Sequence, residues 1–320
     1  MKAIRIFDFG APEVLTLVEM ERPVPAADEI LVKVYASAVN PIDRKIRDGA
    51  IVSRLHVKIT LPLTLGWDAA GIVSEVGKDV EGFKPGDAVY GIPNFPGNGS
   101  YAEYVAANAG KFALKPSSIG FNEAAAVPVS AVAAWDGIFN CAKLQAGQRA
   151  LILGAAGSVG HFAVQFAKWK GAYVIGTAST AHLDFVRQLG ADEVIDYNTQ
   201  PFEYLRDMDV VFDAAALGNE MNLKYVQVLK NNGVLATVQG FPLSDDITKA
   251  LAAKNAHGNV VYGENKIQEW LRQIAQLIDE KKVTVSIGKI LPLEQVQRAH
   301  HESAQRTIRG KFVLEVQKEV

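Results

Sequence analysis

The stretch from 149 to 171, RALILGAAGSVGHFAVQFAKWKG, constrains the fold of this chain more than any other. Ala150–Leu153 is an apolar run of the length and makeup of a buried parallel strand. A glycine-rich turn follows, from Gly154 to Gly160. Beyond it Phe162, Val164, Phe166 and Ala167 recur at helical spacing, Lys168 and Lys170 sit where cations suit a helix C-terminus, and Gly171 is the stop. The spacing predicts a helix over 158–170. Strand, turn and helix in this order are the context a dinucleotide fingerprint needs. Gly157 lets the backbone approach a pyrophosphate, Gly160 lets the helix pack close to the strand, and the N–H groups of Ser158 and Val159 can receive phosphate oxygens. Ala155 stands where Gly-x-Gly-x-x-Gly has its first glycine. Taken alone, an ordinary strand-to-helix turn with packing glycines reads the same way.

The rest of the second half supports the fingerprint. Helical patterns at Asn122–Ala126, capped by Asn122, and at Ser130–Ala142 precede it, with Pro128 interrupting them. After it come strand Tyr173–Thr177, helix Ala181–Leu189, strand Glu193–Ile195, strand Asp209–Phe212, helix Glu220–Leu229 and strand Val234–Val238. Alternation of this kind predicts a doubly wound parallel sheet with right-handed crossovers. Lys266–Glu280 reads as an amphipathic helix with Ile267, Leu271, Ile274 and Ile278 on one face. Strands at Val283–Val285 and Ile290–Leu291, a helix from Leu293 to about Ser303 and a strand Lys311–Val316 complete this half.

The first 120 residues read differently. Lys2–Phe7, Leu15–Glu19, Ile30–Ala38, Ala70–Val76, Ala88–Ile92 and Ser100–Ala106 are short strand candidates, separated by Pro-, Gly- and Asp-bearing turns and by the Pro93–Gly99 loop. They suggest a small barrel-like β domain. At 320 residues, two domains are expected: 1–121 with 264–320, and 122–263.

Composition excludes several functions. The net charge of −2 gives no reason to expect nucleic-acid or anionic-membrane binding. A single cysteine, Cys141, precludes an intramolecular disulfide and fits a reducing compartment. The N-terminus MKAIRIFDFG breaks the apolar core a signal peptide needs, and no apolar run approaches transmembrane length, so a cytoplasmic protein is expected.

Several motifs carry a family resemblance: Val39-Asn-Pro-Ile-Asp43, Leu65-Gly-Trp-Asp-Ala-Ala-Gly71, Gly86-Asp-Ala-Val-Tyr-Gly91, Gly99-Ser-Tyr-Ala-Glu-Tyr104, Ala124-Ala-Ala-Val-Pro128, Ala155–Gly160, Leu189-Gly-Ala-Asp192 and Gly310-Lys-Phe-Val-Leu314. Together they resemble the medium-chain dehydrogenase/reductase superfamily, in its zinc-free quinone oxidoreductase (zeta-crystallin-like) branch. The resemblance implies an α/β chain: a GroES-like β-barrel catalytic domain joined to a Rossmann nucleotide-binding domain. It also implies a homodimer. Zinc relatives need Cys, His or carboxylate ligands that converge on the metal. Here Asn40 and Asp43 stand where the cysteine-bearing motif would be, and Trp67-Asp68 where a His-Glu pair would be. No metal is therefore expected. His300 and His301 are neighbours on an expected helix and point different ways.

Without zinc, the chemistry suits acceptors that take hydride readily. The leading expectation is NADPH-dependent reduction of quinones or related electron-poor carbonyl compounds. Reduction of an enone or enal double bond is the alternative, and a non-enzymatic NADPH-binding or RNA-binding role ranks below both. An NAD-preferring site carries an acid about 20 residues past the fingerprint, whereas this chain has Gly176-Thr-Ala-Ser-Thr180. Ser179 can bond a 2′-phosphate there, or simply cap a helix. His182 stands near where relatives carry a basic residue. The resemblance places Tyr197 by the adenosine ribose or its phosphate and Asp213 and Leu217 on the adenosine side. It sets the Val238–Phe241 turn, with Gly240 and Phe241, beside the nicotinamide, and lets Lys311 reach the cofactor. Asn40, Asp43 and Tyr101 are the polar candidates for the substrate pocket. Asn40 would orient a carbonyl oxygen. Asp43 would act there or cap the next helix, and Tyr101 would donate a proton or pack. Trp67 would narrow the pocket or fill core.

Overall fold

The computed structural model describes residues 1–50, 59–95, 97–263, 266–305 and 308–318. Pro96 of the expected Pro93–Gly99 loop and Glu264 at the expected domain border lie outside them. The chain forms two compact units, Met1–Val129 with Asn265–Glu280 and Val285–Val320, and Ser130–Glu264 with Lys281–Thr284.

The first unit begins with strands β1 (Lys2–Ile6), β2 (Thr16–Glu19), β3 (Glu29–Val39), β4 (Leu63–Thr64), β5 (Ala69–Val76), β6 (Ala88–Gly91), β7 (Tyr104–Asn108) and β8 (Phe112–Leu114), and helices α1 (Pro41–Arg47) and α2 (Phe121–Ala125). β2, β1 and β4 form a small antiparallel sheet. β3, the longest strand, is buried along most of its length and pairs with both β5 and β7. Ile30, Val32, Val34, Val73, Val89, Val105 and Phe112 close one core beneath it.

Helix α3 (Pro128–Trp135) runs on into a π-helical turn, Asp136–Cys141. In the second unit, six strands form one parallel sheet: β9 (Arg149–Leu153), β10 (Tyr173–Ala178), β11 (Glu193–Asp196), β12 (Met208–Asp213), β13 (Leu229–Thr237) and β14 (His257–Val260). Its order, β11-β10-β9-β12-β13-β14, reverses between β9 and β12, which is the topological switch point where nucleotides bind in such sheets. Helices α4 (Gly160–Trp169), α5 (Leu183–Gln188), α6 (Asn219–Val228) and α7 (Asp245–Ala252) make four of the crossovers. Leu151, Ile175, Val211, Val226 and Leu235 fill the core.

The chain then returns to the first unit with α8 (Ile267–Asp279), β15 (Ile287–Pro292), α9 (Val296–Ala304) and β16 (Lys311–Glu315). Ile267, Leu271, Ile274 and Ile278 of α8 are buried on one face, and the Tyr90 hydroxyl donates to the Leu271 carbonyl at 2.6 Å. β16 lies antiparallel to β3 and parallel to β15.

Some expected elements shift for identifiable reasons. The strand expected at Ser100–Ala106 begins only at Tyr104, because the N–H groups of Gly99, Ser100 and Tyr101 bond to the carbonyls of Thr64, Gly66 and Leu65. No strand forms at Val283–Val285. There Thr284 donates its N–H to the Gln165 side chain at 2.7 Å and accepts back from it at 3.0 Å. The helix expected to be capped by Asn122 starts one residue earlier, at Phe121, whose ring stacks on Tyr35 at 4.7 Å. Pro128 opens α3 rather than interrupting a helix, as a residue without an N–H can at a first helical position.

Candidate active site

Each unit carries one group of the expected site residues. In the second unit, β9 ends at the switch point and delivers the chain into the glycine turn. Gly154 takes the left-handed conformation with φ +68°. A Cβ on Gly160 would stand 2.1 Å from the Gly154 carbonyl oxygen, so only glycine lets the turn close this tightly. Ala155 is buried, its N–H donating to the Thr177 carbonyl at 2.9 Å. Gly157, Ser158 and Val159 are half-buried, and α4 begins at Gly160, two residues later than expected. Sequence reasoning missed His161. Its ring is buried and its Nδ1–H donates to the Gly157 carbonyl at 3.0 Å, which pins the middle of the turn.

Ser179 follows β10, half-buried at the cap position of a short helical turn, and its hydroxyl makes no capping bond. The neighbouring Thr180 donates to Asp196 at 2.5 Å. Tyr197 and Leu217, both more than half exposed, line the same open cavity of about 490 Å³ with Asn198, Phe202 and Met221. Asp213 is buried, and its carboxylate takes the N–H groups of Ala215 and Ala216 and the Thr237 hydroxyl. It therefore shapes the loop that carries Leu217. After β13, Gly240 has φ +78° and is exposed, and Phe241 is half-buried. Gln239 beneath them donates to the Phe241 carbonyl at 2.8 Å.

In the first unit, the ends of β3 and β16, the start of α1 and the segment before β5 converge on a buried polar cluster. The Asp68 carboxylate accepts from Asn40 Nδ2 at 2.8 Å and from the Val129 N–H at 2.7 Å, and pairs with Lys311 Nζ at 3.0 Å. Lys311 also donates to Asn40 Oδ1. Both ends of the Asn40 carboxamide are thus engaged, as is the Lys311 ammonium, and the two charged side chains of the pair are almost fully buried.

Asp43 does cap α1: its Oδ2 accepts the Asn40 N–H at 2.6 Å. Its other oxygen accepts the Gly66 N–H at 3.2 Å, so one carboxylate joins the Asn40 segment to the Gly66–Asp68 segment. Burial raises its pKa to about 7, the Asn40 N–H opposing that shift and the Asp68 charge adding to it. Tyr101 is fully buried, with its hydroxyl 3.2 Å from His300 Nε2. Burial first, and then the Asp43 charge, hold that hydroxyl well above the ordinary tyrosine range. Arg47 donates to His300 Nδ1 at 3.2 Å. Burial and the nearby Arg47 and Arg44 push the His300 pKa down to about 3, so the ring is neutral with its hydrogen on Nε2, facing Tyr101. His301 faces the other way, to Glu13 at 2.8 Å. Among the described residues, no group of three His, Cys, Asp or Glu side chains gathers as metal ligands would.

Of the side chains that build this cluster, sequence reasoning singled out Asn40, Asp43, Tyr101 and Lys311 and passed over Asp68, Arg47 and His300. Asp68 was legible only as part of the Leu65–Gly71 motif and as the residue standing where zinc relatives have an acid. Nothing local links Arg47 to His300.

Comparison with known proteins fits both halves. Residues 26–117 match the alcohol dehydrogenase GroES-like domain, and 189–314 match the zinc-binding dehydrogenase family. A quinone oxidoreductase from Sus scrofa is 33% identical, with 98% of this chain and 97% of that protein covered. A 2-methylene-furan-3-one reductase from Solanum lycopersicum is 38% identical over 75% of this chain, and the match spans 62% of its length. The structure of the Escherichia coli quinone oxidoreductase complexed with NADPH superposes with a TM-score of 0.88 at 28% identity, covering 99% of this chain and 100% of that one.

Proposed function

The chain belongs to the medium-chain dehydrogenase/reductase superfamily, in the branch of the quinone oxidoreductases, and from that membership we propose that it is an NADPH-dependent reductase of quinones and related electron-poor carbonyl compounds. The observation that carries the reading is the glycine turn at the switch point. A side chain at Gly160 would collide with the turn's own backbone, and a turn built this tightly brings backbone N–H groups up to a pyrophosphate. NADPH supplies a hydride when bound. Ser158 and Val159 offer their N–H groups to the pyrophosphate. Tyr197 and Leu217 flank the cavity that takes the adenosine. The Ser179 hydroxyl, which caps nothing, bonds the 2′-phosphate.

On the acceptor side, Asn40, Asp43 and Lys311 act as a fixed polar floor. Zinc is not needed: the Lys311 ammonium already neutralises Asp68, and a dication placed against that ammonium would be repelled. A quinone takes its proton from solvent after hydride transfer, so no buried acid is required. The protein works as a homodimer.

The test is a titration with NADPH and NADH, followed by tryptophan fluorescence, then addition of 1,4-benzoquinone. Tight NADPH binding with quinone-dependent oxidation is expected, unaffected by chelators. No oxidation with any quinone or enone would sink the reading. The tomato relative's name favours a second reading, reduction of a conjugated double bond. Turnover of an enone with no turnover of quinones would select it.

A further inference from the structure

The polar cluster of the first unit satisfies its own hydrogen bonds, and the chain neighbour of Asp68 does not. Asp68 has the Asn40 amide, the Lys311 ammonium and the Val129 N–H on its two oxygens. Asn40 has Lys311 on its oxygen and Asp68 on its nitrogen. Asp43 holds the N–H groups of Asn40 and Gly66. Ser37 and Ser100 bond each other and the Asp68 carbonyl. Trp67, the residue before Asp68, is 2% exposed, and among the described residues its indole Nε1–H has no hydrogen-bond partner.

An unmade hydrogen bond at a buried N–H costs about 1–3 kcal/mol, and such groups are rare enough in native proteins that each calls for an explanation. Packing accounts for the ring, which lies in the core with Ile4, Leu65 and Tyr101, but not for its polar atom. Phenylalanine would keep an aromatic ring there with no N–H to desolvate. The indole is held rigidly: Gly66 before it has φ +100°, a conformation that side chains rarely adopt, and the ring meets Phe95 edge-on at 5.1 Å. Phe95 is 40% exposed, so the ring that meets the indole reaches solvent. What this segment leaves open is thus a lone donor with no formal charge. It fits an oxygen acceptor, and it does not fit a cation or an amine.

We propose that Trp67 Nε1–H is the hydrogen-bond donor to the carbonyl oxygen of the acceptor, making Trp67 a catalytic residue. This rests on the reading above. As hydride reaches a quinone or the β-carbon of an enone, the electron pair moves onto the carbonyl oxygen. That oxygen becomes an oxyanion, and a donor already in place at low dielectric stabilises it. Water then protonates the hydroquinone oxyanion at oxygen, or the enolate at its α-carbon. The products are NADP⁺ and the hydroquinone or saturated ketone. Asn40, whose amide is committed to Asp68, is a positioning residue in this scheme and fixes the residue that follows Trp67.

The experiment compares wild type with Trp67→Phe, which keeps an aromatic ring and removes the donor. Wild-type NADPH oxidation with 1,4-benzoquinone and 2-cyclohexen-1-one tests the functional reading itself. If wild type turns over, Trp67→Phe is expected to lower kcat at least about tenfold while the NADPH Kd stays unchanged and Tm holds or rises. A kcat/KM within twofold of wild type would overturn the proposal and leave the functional reading intact. The second measurement does not require the variant to fold. In ¹⁵N-labelled wild type with NADP⁺, the Trp67 indole N–H signal is assigned by elimination with Trp135→Phe, Trp169→Phe and Trp270→Phe. Adding 2-cyclohexen-1-one, which cannot be reduced by NADP⁺, is expected to move that signal downfield. An unmoved signal at saturating enone would overturn the proposal whatever the turnover assays show.

Discussion

The glycine turn of the second unit and the Asn40–Asp68–Lys311 cluster of the first are built in opposite ways. The turn works through backbone. Its residues are consecutive, its requirement is the absence of side chains, and its geometry follows from Gly154 and Gly160. The cluster works through side chains gathered from across the chain, positions 40, 43, 68 and 311. It holds a buried ion pair, so its stability depends on charge balance. A backbone site tolerates most changes in its surroundings but almost no added atoms. A buried charge site tolerates conservative changes of size but almost no unbalanced charge.

The largest expected effect tests the second half of that contrast. Lys311→Met keeps the length of the side chain and leaves Asp68 buried beside Asn40 without its cation. Removing one partner of a buried pair costs about 3–5 kcal/mol, which should appear as a marked fall in Tm. Adding Asp68→Asn to the same chain should return part of the loss, because the stranded charge is then gone. A single variant as stable as wild type would mean that the pair is not buried in solution.

Gly160→Ala tests the first half and should have the next largest effect. Its Cβ would meet the Gly154 carbonyl oxygen at 2.1 Å and the Ala155 Cα at 2.8 Å. Backbone has to move, at about 1–3 kcal/mol for overpacking of this kind, and the N–H groups proposed to bind phosphate move with it. NADPH affinity should therefore fall far more than acceptor KM in whatever enzyme remains. Equal losses in both would show that the turn serves folding rather than cofactor binding.

The same contrast governs what the sequence made legible. The glycine turn could be read because its signal is local: a strand, a fixed glycine spacing and a helix. That β9–β13 form a parallel sheet followed from alternation. β14 was missed because His257-Gly-Asn-Val260 has almost no strand character and is held by pairing with β13. α7 was missed although its signal was present, with Ser244 before two acids and Ile247 and Leu251 four apart. In the first unit, Asn40 and Asp43 could be picked out because they share a motif, but their partners could not. Lys311 was expected to reach the cofactor, and its contact with Asp68 exists only once β16 lies beside β3. His300 reads as surface or packing until the fold brings Arg47 and Tyr101 to its two nitrogens.

Asp43 offers a third test, through pH. Its pKa is raised from 3.8 to about 7 in the folded chain, chiefly by burial. The folded state therefore binds a proton that the unfolded state has released over that window, and the linkage sign follows. The contribution is favourable below about pH 4, is lost progressively as pH rises toward 7, and is flat above that. Asp43→Asn removes the titrating group while keeping a side chain able to cap α1. Its Tm between pH 4 and 7 should decline less steeply than that of wild type. Parallel profiles would mean that Asp43 is solvated, and that the clamp between Asn40 and Gly66 is not a buried one.

The smallest expected effect is at Ser179, and it sharpens the comparison by joining its two terms: a side chain added to a backbone site. The position invites a capping role, since Ser179 precedes a helical turn, yet its hydroxyl makes no capping bond. Losing it should therefore leave Tm almost unchanged, where loss of a working cap would cost about 1 kcal/mol. A hydrogen bond to a charged group contributes about 1.5–3 kcal/mol, so if the hydroxyl meets a 2′-phosphate, Ser179→Ala should weaken NADPH binding by roughly tenfold or more. NADH, which lacks that phosphate, should bind the variant as it binds wild type. The informative quantity is the ratio of the two Kd values, because a disturbed turn would weaken both cofactors together. A lower Tm with that ratio unchanged would restore the capping role and move the origin of any NADPH preference to Tyr197 or His182.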